Sequence, residues 1–418
     1  IDVSTALAGL GMVARSVNAK ELRETPAARA AMKVEWDSLR SLRTWDESKV
    51  REWDQVAAEA RSTGHKVHVG RIFGICVEKG SELPKGDPNR KFKGRVVFQG
   101  NNVKDEESMQ ALFNDLGSSP STIAAGHFAD FYGMLEGHIV QQADAARAYT
   151  QAPLMGTKTW VRIPREEQPS SWKRFRDPVC PLLLALYGHP DSGSCWEVWN
   201  DEQLRKLNFV AIPGWTGCYF HPEKKVLLVV YVDDFKMVGK AADVKEMWSQ
   251  IGKLVELEPP TAPGRYLGCM HRATSVTLDV DKLPYDGVSW LDTRDSSVKR
   301  VDVKAMVYDL GSFVSQCLER YESLAGGDFR PYTKAATPFL AETEGKDGKI
   351  ENDQPHKLGN IALKVLMKVF YAARVGRYDI MRAVTYLARQ ITKWTSECDR
   401  RLHRLMSYLH HTKDLVTV

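Results

Sequence analysis

Two adjacent carboxylates, Asp233 and Asp234, stand between two apolar runs in the stretch Val229-Val230-Tyr231-Val232-Asp233-Asp234-Phe235-Lys236-Met237-Val238-Gly239. Leu227 to Val230 is short, apolar and rich in β-branched residues, the pattern of a buried strand, and Phe235 to Val238 reads as a second one. The two acids are therefore expected at the tip of a hairpin with buried legs. Acids held side by side on a rigid apolar support repel each other, and a divalent cation relieves that cost. A polar turn uses the same residues without any metal, so this stretch alone leaves both readings open. A third carboxylate, Asp144, follows the apolar run Ile139 to Ala143. At the end of one strand it could meet Asp233 at the tip of a neighbouring hairpin.

The elements that must hold these acids are readable around them. Met32, Trp36 and Leu39 follow helical spacing, and Thr44 to Glu47 has the form of a capping box for a helix carrying Val50, Trp53, Val56 and Ala60. Val67 to Val77 and Lys91 to Phe98 read as strands, separated by a Pro/Gly/Asp loop over Ser81 to Asn89. Lys93 and Arg95 then lie on one strand edge, which is either a phosphate-binding edge or a solvated face. Ser119-Pro120-Ser121 starts a helix through Ile123, Phe128 and Phe131 to Leu135. Trp160 to Pro164 is a short strand, and Trp196, Trp199, Leu204 and Leu207 form a helix-like stripe. After the hairpin, Val244, Met247, Trp248, Ile251 and Val255 mark an amphipathic helix, broken by Pro259, Pro260 and Pro263. Residues 275–300 are polar and turn-rich, which predicts a surface insertion, and residues 342–358 suggest an exposed linker. Two more helices are expected, through Leu363, Leu366, Met367 and Phe370, and through Leu402, Leu405, Met406 and Leu409. This order calls for a mixed helix-and-sheet domain with acids at the sheet edges and helices over the back face.

The bulk numbers are permissive. A chain of 418 residues is too long for one core, so two or more subdomains are expected. It is 43% hydrophobic and 27% charged, an ordinary globular composition. A net charge of +5 permits a nucleic-acid partner without demanding one. The seven cysteines are odd in number and form no C-x-x-C pair, which argues for reduced thiols in an intracellular protein and against a disulfide framework or a zinc site. No apolar run approaches the roughly 18 residues of a membrane span. The chain begins at Ile1 with no signal-peptide pattern, and residues 1–26 look like a loosely attached leader, so a piece of a longer translated product is expected.

At this point the residues resemble a known family, the reverse transcriptase domain of copia-type (Pseudoviridae-like) long-terminal-repeat retrotransposon Pol polyproteins. Ala31-Met32-Lys33-Val34-Glu35-Trp36 through Thr44-Trp45 looks like the opening acidic helix of that family and its Thr-Trp pair. Lys93-Gly94-Arg95-Val96-Val97 with Gly100 looks like its Lys-Ala-Arg-Leu-Val fingers strand. Gln142-Ala143-Asp144-Ala145-Ala146-Arg147-Ala148-Tyr149 looks like Gln-Leu-Asp-Val-Lys-Thr-Ala-Phe. Leu186-Tyr187-Gly188 with Trp196 resembles its Leu-Tyr-Gly and Trp block, and Tyr231-Val232-Asp233-Asp234 is identical to its active-site tetrad. Tyr266-Leu267-Gly268 resembles Phe-Leu-Gly, and Arg377-Tyr378-Asp379-Ile380 resembles Arg-Pro-Asp-Ile. Tyr408-Leu409, with Thr412 and Asp414, resembles the segment just before ribonuclease H. Any one block is short; their order and spacing carry the resemblance.

The resemblance implies an α+β right-hand polymerase with fingers, palm and thumb, its ferredoxin-like palm sheet covered by helices. The segments would be an N-terminal leader and helices over 1–64, fingers over 65–140, palm over 141–270, and thumb or connection over 271–418. Ribonuclease H activity would be absent from this piece. The implied reaction is RNA-directed and DNA-directed DNA synthesis with two Mg²⁺ ions, Mn²⁺ being a possible substitute. One ion activates a primer hydroxyl and the other binds the triphosphate and steadies the leaving group. Asp144 and Asp233 would be the main ligands, with Asp234 as third acid and the backbone carbonyl of Ala145 as a further donor. Tyr149 would block a ribonucleotide 2′-hydroxyl, or else be a core tyrosine. Lys93 and Arg95 would cradle the triphosphate. Leu267 and Gly268 look like a primer grip, or an ordinary strand end. Lys393, Arg400, Arg401 and Arg404 would face the nucleic-acid backbone, or form a solvated helix face.

Three departures stand out. Asp191 takes the place of the Gln that contacts the nucleotide, a repulsive choice beside a triphosphate. Gly94 replaces Ala with Gln99 replacing a basic residue, and Arg377-Tyr378 lacks the Pro. They point to a divergent lineage or a decaying copy, and an inactive or domesticated nucleic-acid-binding relic is the alternative. A third possibility is an RNA polymerase with a similar palm. The implied partners are an RNA or DNA template with primer, deoxynucleotides, and the ribonuclease H and integrase portions of the same polyprotein, with no membrane. The implied location is intracellular, in a cytoplasmic virus-like particle or the nucleus.

Overall fold

The computed structural model describes residues 14–81, 84–113, 120–279, 300–340 and 356–418. Within them the chain is mixed α+β, with strands and helices interspersed along its length. Packing divides it into two compact units, Ile1–Ala125 with Ala143–Pro260, and Gly126–Gln142 with Thr261–Val418. This division follows packing alone, and its borders differ from the sequence-based ones at 64/65, 140/141 and 270/271.

The first sheet of the first unit is organised on the thirteen-residue strand Val67–Lys79. Its C-terminal part pairs antiparallel with Lys91–Phe98, from Ile72 opposite Phe98 to Lys79 opposite Lys91. Its N-terminal part runs parallel to Lys158–Arg162, which in turn pairs with Pro178–Pro181. Helix Pro26–Ser41 starts with proline at its first position and buries Ala28, Met32, Trp36 and Leu39, one stripe at three- and four-residue spacing. That stripe shares a core with Ile72, Cys76, Val96 and Phe98. The helix lies so close to the Lys91–Phe98 strand that a Cβ on Gly94 would sit 2.7 Å from the Ala31 carbonyl oxygen and 2.9 Å from the Met32 Cα.

The capping box expected at Thr44 to Glu47 does not form. Asp46 caps a short 3-10 turn at Glu47–Lys49, and the α-helix begins only at Trp53, where Glu52 makes no side-chain cap. Glu47 is occupied instead by Arg40 and the Trp45 indole. The helix still buries Trp53, Val56, Ala57 and Ala60, as the spacing requires.

In the second sheet, Val226–Tyr231 and Asp234–Lys240 pair antiparallel, with Leu227 opposite Val238 and Tyr231 opposite Asp234. Both strands are buried over most of their length, which explains the continuous apolar run of the first and the mostly apolar second, where Lys236 is buried among Phe235, Met237 and Val238. Cys218–His221 flanks Val226–Tyr231, and Val210–Ala211 closes that edge. On the other side, beside Asp234–Lys240, lies the Ala143–Asp144 end of strand His138–Asp144. Helix Ala241–Ile251 buries Val244, Met247, Trp248 and Ile251. Val255 is buried beyond the end of that helix.

The second unit holds a long antiparallel pair, Cys269–Asp279 with Arg300–Asp309. The polar, turn-rich character of residues 275–300 therefore hides strand at both of its ends; residues 280–299 lie outside the described residues. So do Ser119 of the expected helix start, most of the expected linker and residues 1–13 of the leader. Helices Gly311–Ala325, Gly359–Val375, Met381–Arg389 and Ser396–His411 pack together. Ser396–His411 buries Leu402, Leu405, Met406 and Leu409 as expected. Gly359–Val375 presents a different face from the one read in its sequence. It buries Ile361, Ala362, Val365, Leu366 and Val369, whereas Leu363 and Met367 are 50% and 44% exposed. Among the described residues no helix is long and apolar enough to cross a membrane.

The close approach at Gly94 gives a direct test. Gly94→Ala should lower stability by about 1–3 kcal/mol, because the added methyl meets backbone that cannot rotate away. Urea unfolding measures this, and an unchanged midpoint would refute the close approach.

Candidate active site

The turn between the two central strands is Val232-Asp233, not Asp233-Asp234. Tyr231 pairs with Asp234, so Asp234 is already the first residue of its strand. Val232 has φ +58°, a left-handed conformation that costs a β-branched residue about 1–3 kcal/mol. Specific bonds hold it there. The Trp196 indole N–H donates to the Val232 carbonyl at 2.8 Å, and the Ala145 N–H donates to the Asp233 carbonyl at 2.7 Å. The Val230 N–H donates to the Gly217 carbonyl at 2.7 Å. Gly217 has φ +66°, and a Cβ there would sit 2.5 Å from the Val230 carbonyl oxygen.

The bond from Ala145 to Asp233 brings the third acid to the hairpin. The Asp144 and Asp234 carboxyls lie within hydrogen-bonding reach of each other, an interaction that holds the Asp234 carboxyl up and the Asp144 carboxyl down. The Asp144 carboxyl is raised by desolvation first, then by Glu258 and Asp233. Asp234 is pushed up to about 7, by desolvation first and then by the charges of Asp233 and Asp144. Glu258 is a fourth carboxylate, and its N–H donates to the Asp144 carbonyl at 2.8 Å. Its sequence context, a run into Pro259-Pro260, gives no signal of this role. Among the described residues no three His, Cys, Asp or Glu side chains converge closely enough to hold a metal ion between them. The Asp144–Asp234 pair offers oxygen donors only, the kind that suits a hard cation retaining its waters.

Tyr149 sits on the 3-10 turn Ala148–Gln151, entered through Arg147 at φ +50°. Its ring lies 4.6 Å from that of Tyr187, centroid to centroid. Its hydroxyl is raised by desolvation, then by Asp233 and Glu197. Arg95 stacks over Tyr187 at 5.3 Å. Acids, Tyr149, Tyr187 and Arg95 thus form one neighbourhood, in which the sequence reading gave Tyr187 no role. Lys93 shares the outward face of its strand with Lys91 and Arg95. Partial desolvation and the cations Lys79 and Arg95 lower its pKa, opposed by Glu35 and Glu258. Such a cation gains by meeting an anion.

The remaining expected residues lie elsewhere. Asp191 precedes helix Ser192–Arg205, and its N–H donates to His189 Nδ1 at 3.2 Å. Its carboxyl is raised by burial and answered by His68; it does not figure among the groups that perturb Asp144 and Asp234. Leu267 and Gly268, in the second unit, form the two-residue turn between Tyr266 and Cys269. Their φ values of +49° and +80° suit a primed hairpin turn, which by itself accounts for the glycine. The Tyr371 hydroxyl donates to the Leu267 carbonyl.

The four basic residues near the C-terminal helix split. Lys393 and Arg400 are exposed, Arg400 pairing with Glu397 at 2.7 Å. Arg404 donates to the Thr337 carbonyl and hydroxyl. Arg401 is 6% exposed, paired with Glu397 at 2.8 Å and stacked over Tyr386 at 5.0 Å. It faces the core, which corrects the expectation of a backbone-binding role for this residue.

No family model matches the chain, and no curated protein matches it. Among solved structures, it is similar to that of the foamy viral protease-reverse transcriptase dRH in complex with ds DNA, at 14% identity and a TM-score of 0.36. The match covers 85% of this chain and 47% of that one, so the chain spans about half the length of that protein.

The raised Asp234 carboxyl has a consequence for stability. Its folded pKa, about 7, exceeds the unfolded value near 4, so the folded chain holds an extra proton between the two. Stability from this group is fully present below about pH 4 and is lost as pH rises through about 7. Asn at this position removes the dependence. The stability of Asp234→Asn relative to wild type should rise by about 1–2 kcal/mol between roughly pH 5 and pH 8, allowing for partial solvent screening. Chemical denaturation at the two pH values measures it, and a pH-independent difference would sink the retained-proton account.

Proposed function

We propose that this chain is a reverse transcriptase domain of the copia type, extending a primer with deoxynucleotides on RNA or DNA templates. The fingers, palm and thumb of a right-hand polymerase would then be distributed over the segments given above. The observation that carries the reading is the meeting of Asp144 with Asp233 and Asp234 at a strained, tethered turn, with Tyr149 beside Asp233.

Asp144 and Asp234, the pair already within reach of each other, would hold Mg²⁺, with Asp233 and the Ala145 carbonyl as further donors that move in when the ion binds. When bound, the metal supplies Lewis-acid activation of the primer hydroxyl and charge neutralisation of the triphosphate. The oxygen-only donors of the Asp144–Asp234 pair fit such an ion, and the proton Asp234 retains marks where a cation relieves repulsion. Arg95 and Lys93 would meet the triphosphate, Arg95 by bidentate contact. Tyr149, braced by Tyr187, would lie under the nucleotide sugar and exclude a 2′-hydroxyl. Trp196 would act through the turn as a positioning residue. Leu267 and Gly268 would grip the primer, and Lys393 and Arg400 would meet the nucleic-acid backbone. The neighbours of Asp191 support a place for it in the packing beside His68 and His189 rather than at the triphosphate.

Primer extension on an RNA template tests the reading. Wild type should extend, and Asp233→Asn should lose about 10²–10³-fold in rate while still binding duplex. No extension by wild type, with duplex binding retained, would leave a binding module in its place. Tyr149→Ala should raise ribonucleotide incorporation sharply while deoxynucleotide extension persists. Wild type that already prefers ribonucleotides would overturn the assignment to DNA synthesis.

A further inference from the structure

The ring of Tyr187 touches two groups to which the polymerase reading gives different parts of a nucleotide. The first is Tyr149, 4.6 Å away between ring centroids and tilted by 58°. The second is the Arg95 guanidinium, 5.3 Å from the Tyr187 centroid.

The backbone around Tyr187 is clamped to the carriers of both groups. The Phe98 N–H, at the end of the strand that carries Arg95, donates to the Tyr187 carbonyl at 2.7 Å. Two residues before Tyr187, the Ala185 N–H donates at 2.9 Å to the carbonyl of Ala152, which follows the turn that carries Tyr149. Leu186, between them, is fixed at both of its main-chain groups. Its N–H donates to the Ser192 hydroxyl oxygen at 2.9 Å, and that hydroxyl donates back to the Leu186 carbonyl at 2.7 Å. After the ring, a Cβ on Gly188 would sit 2.2 Å from the Phe98 carbonyl oxygen. The main chain on both sides of Tyr187 is therefore held by neighbours, and the ring has a fixed base.

A gate that rejects one hydroxyl by overlap works only while its ring cannot swing aside. Tilted aromatic pairs favour particular ring orientations, so Tyr187 restrains Tyr149. A guanidinium over a ring face restrains that ring in turn, so Arg95 restrains Tyr187.

We infer, resting on the polymerase reading, that Tyr187 is a positioning residue for nucleotide selection, holding Tyr149 against the sugar and Arg95 toward the triphosphate. Arg95, which does not meet the sugar, then contributes to sugar selection through the Tyr187 ring.

Single-nucleotide primer extension by the full chain with Mg²⁺ tests this, with deoxy- and ribonucleotides titrated separately to give kcat and KM for each. Urea unfolding checks the fold of each variant. Tyr187→Leu should raise KM for the deoxynucleotide about fivefold and cut the preference for deoxy- over ribonucleotide about tenfold. Tyr187→Phe, which keeps the ring, should restore both. Arg95→Ala should cut the preference about threefold in the wild-type background and leave it unaltered in the Tyr187→Leu background. An unchanged preference in Tyr187→Leu, with both nucleotides slowed alike, means packing alone and overturns the inference. So does a loss in Tyr187→Phe equal to that in Tyr187→Leu, or an Arg95→Ala preference equal to that of wild type. Arg95 is exposed on its strand, so Arg95→Ala keeps the test open if Tyr187→Leu misfolds. Wild type that extends nothing defeats the polymerase reading and the inference with it. Wild type that selects deoxynucleotides, with variants that select equally well, defeats the inference alone.

Discussion

Mutual repulsion among Asp144, Asp233 and Asp234 is the force that the surrounding architecture has to withstand. Three carboxylates at a sheet end are tolerated when part of their charge is neutralised or when their supports cannot relax. Both devices are present. Asp234 retains a proton toward neutral pH, which removes one charge from the group. The supports are stiff: a left-handed valine, an indole bonded to its carbonyl, and a backbone bond from the residue after Asp144 to Asp233. Strain at Val232 persists because Trp196, Gly217 and Ala145 over-determine the path of the chain on both sides of it.

Those supports separate what a sequence discloses from what it does not. The two central strands were legible because burial on both faces demands mostly apolar residues, a demand that Lys236 alone breaks between Phe235 and Val238, and Asp144 was legible as the polar stop of another such run. The position of the turn was not. Asp-Asp reads as the tip by composition, yet the register puts Val232-Asp233 there, held by bonds to their carbonyls from residues 36 and 88 positions away along the chain. Glu258 and Tyr187 escaped for the same reason, since a charge or ring joins a site through tertiary contact without altering local periodicity. The face of helix Gly359–Val375 was misread because apolar residues occupy most of its circumference. Leu363 and Met367 are as apolar as the buried set, so hydrophobic spacing cannot choose between the two faces.

Part of the family resemblance is structural in origin. Arg377 is 2% exposed and forks onto Asp379 at 2.9 and 3.0 Å, while also donating to the Thr412 carbonyl at 2.9 Å. The Tyr408 hydroxyl donates to Asp379 at 2.9 Å. Two blocks that resemble the family separately, around Arg377 and around Tyr408, are therefore halves of one polar knot that ties the last helix to the turn before Met381–Arg389. A buried guanidinium needs its partners, and losing any one strands a charge. The same logic counts against the backbone-binding role expected of Arg401: the C-terminal basic cluster looks like one charged face in sequence, and burial divides it.

The cationic strand shows packing and chemistry specified by the same residues. Along Lys91–Phe98 the inward positions are Phe92, Gly94, Val96 and Phe98, and the outward ones begin Lys91, Lys93 and Arg95. Period-two alternation makes the outward set a consequence of the inward one, since a one-residue slip would bury three cations. Gly94 fixes that register, because the Ala31–Met32 backbone approaches it more closely than any side chain at that position permits. The departure from alanine at this position is then no sign of decay: the contact that seats helix Pro26–Ser41 on the sheet also holds Lys93 and Arg95 outward, with Arg95 stacked over Tyr187.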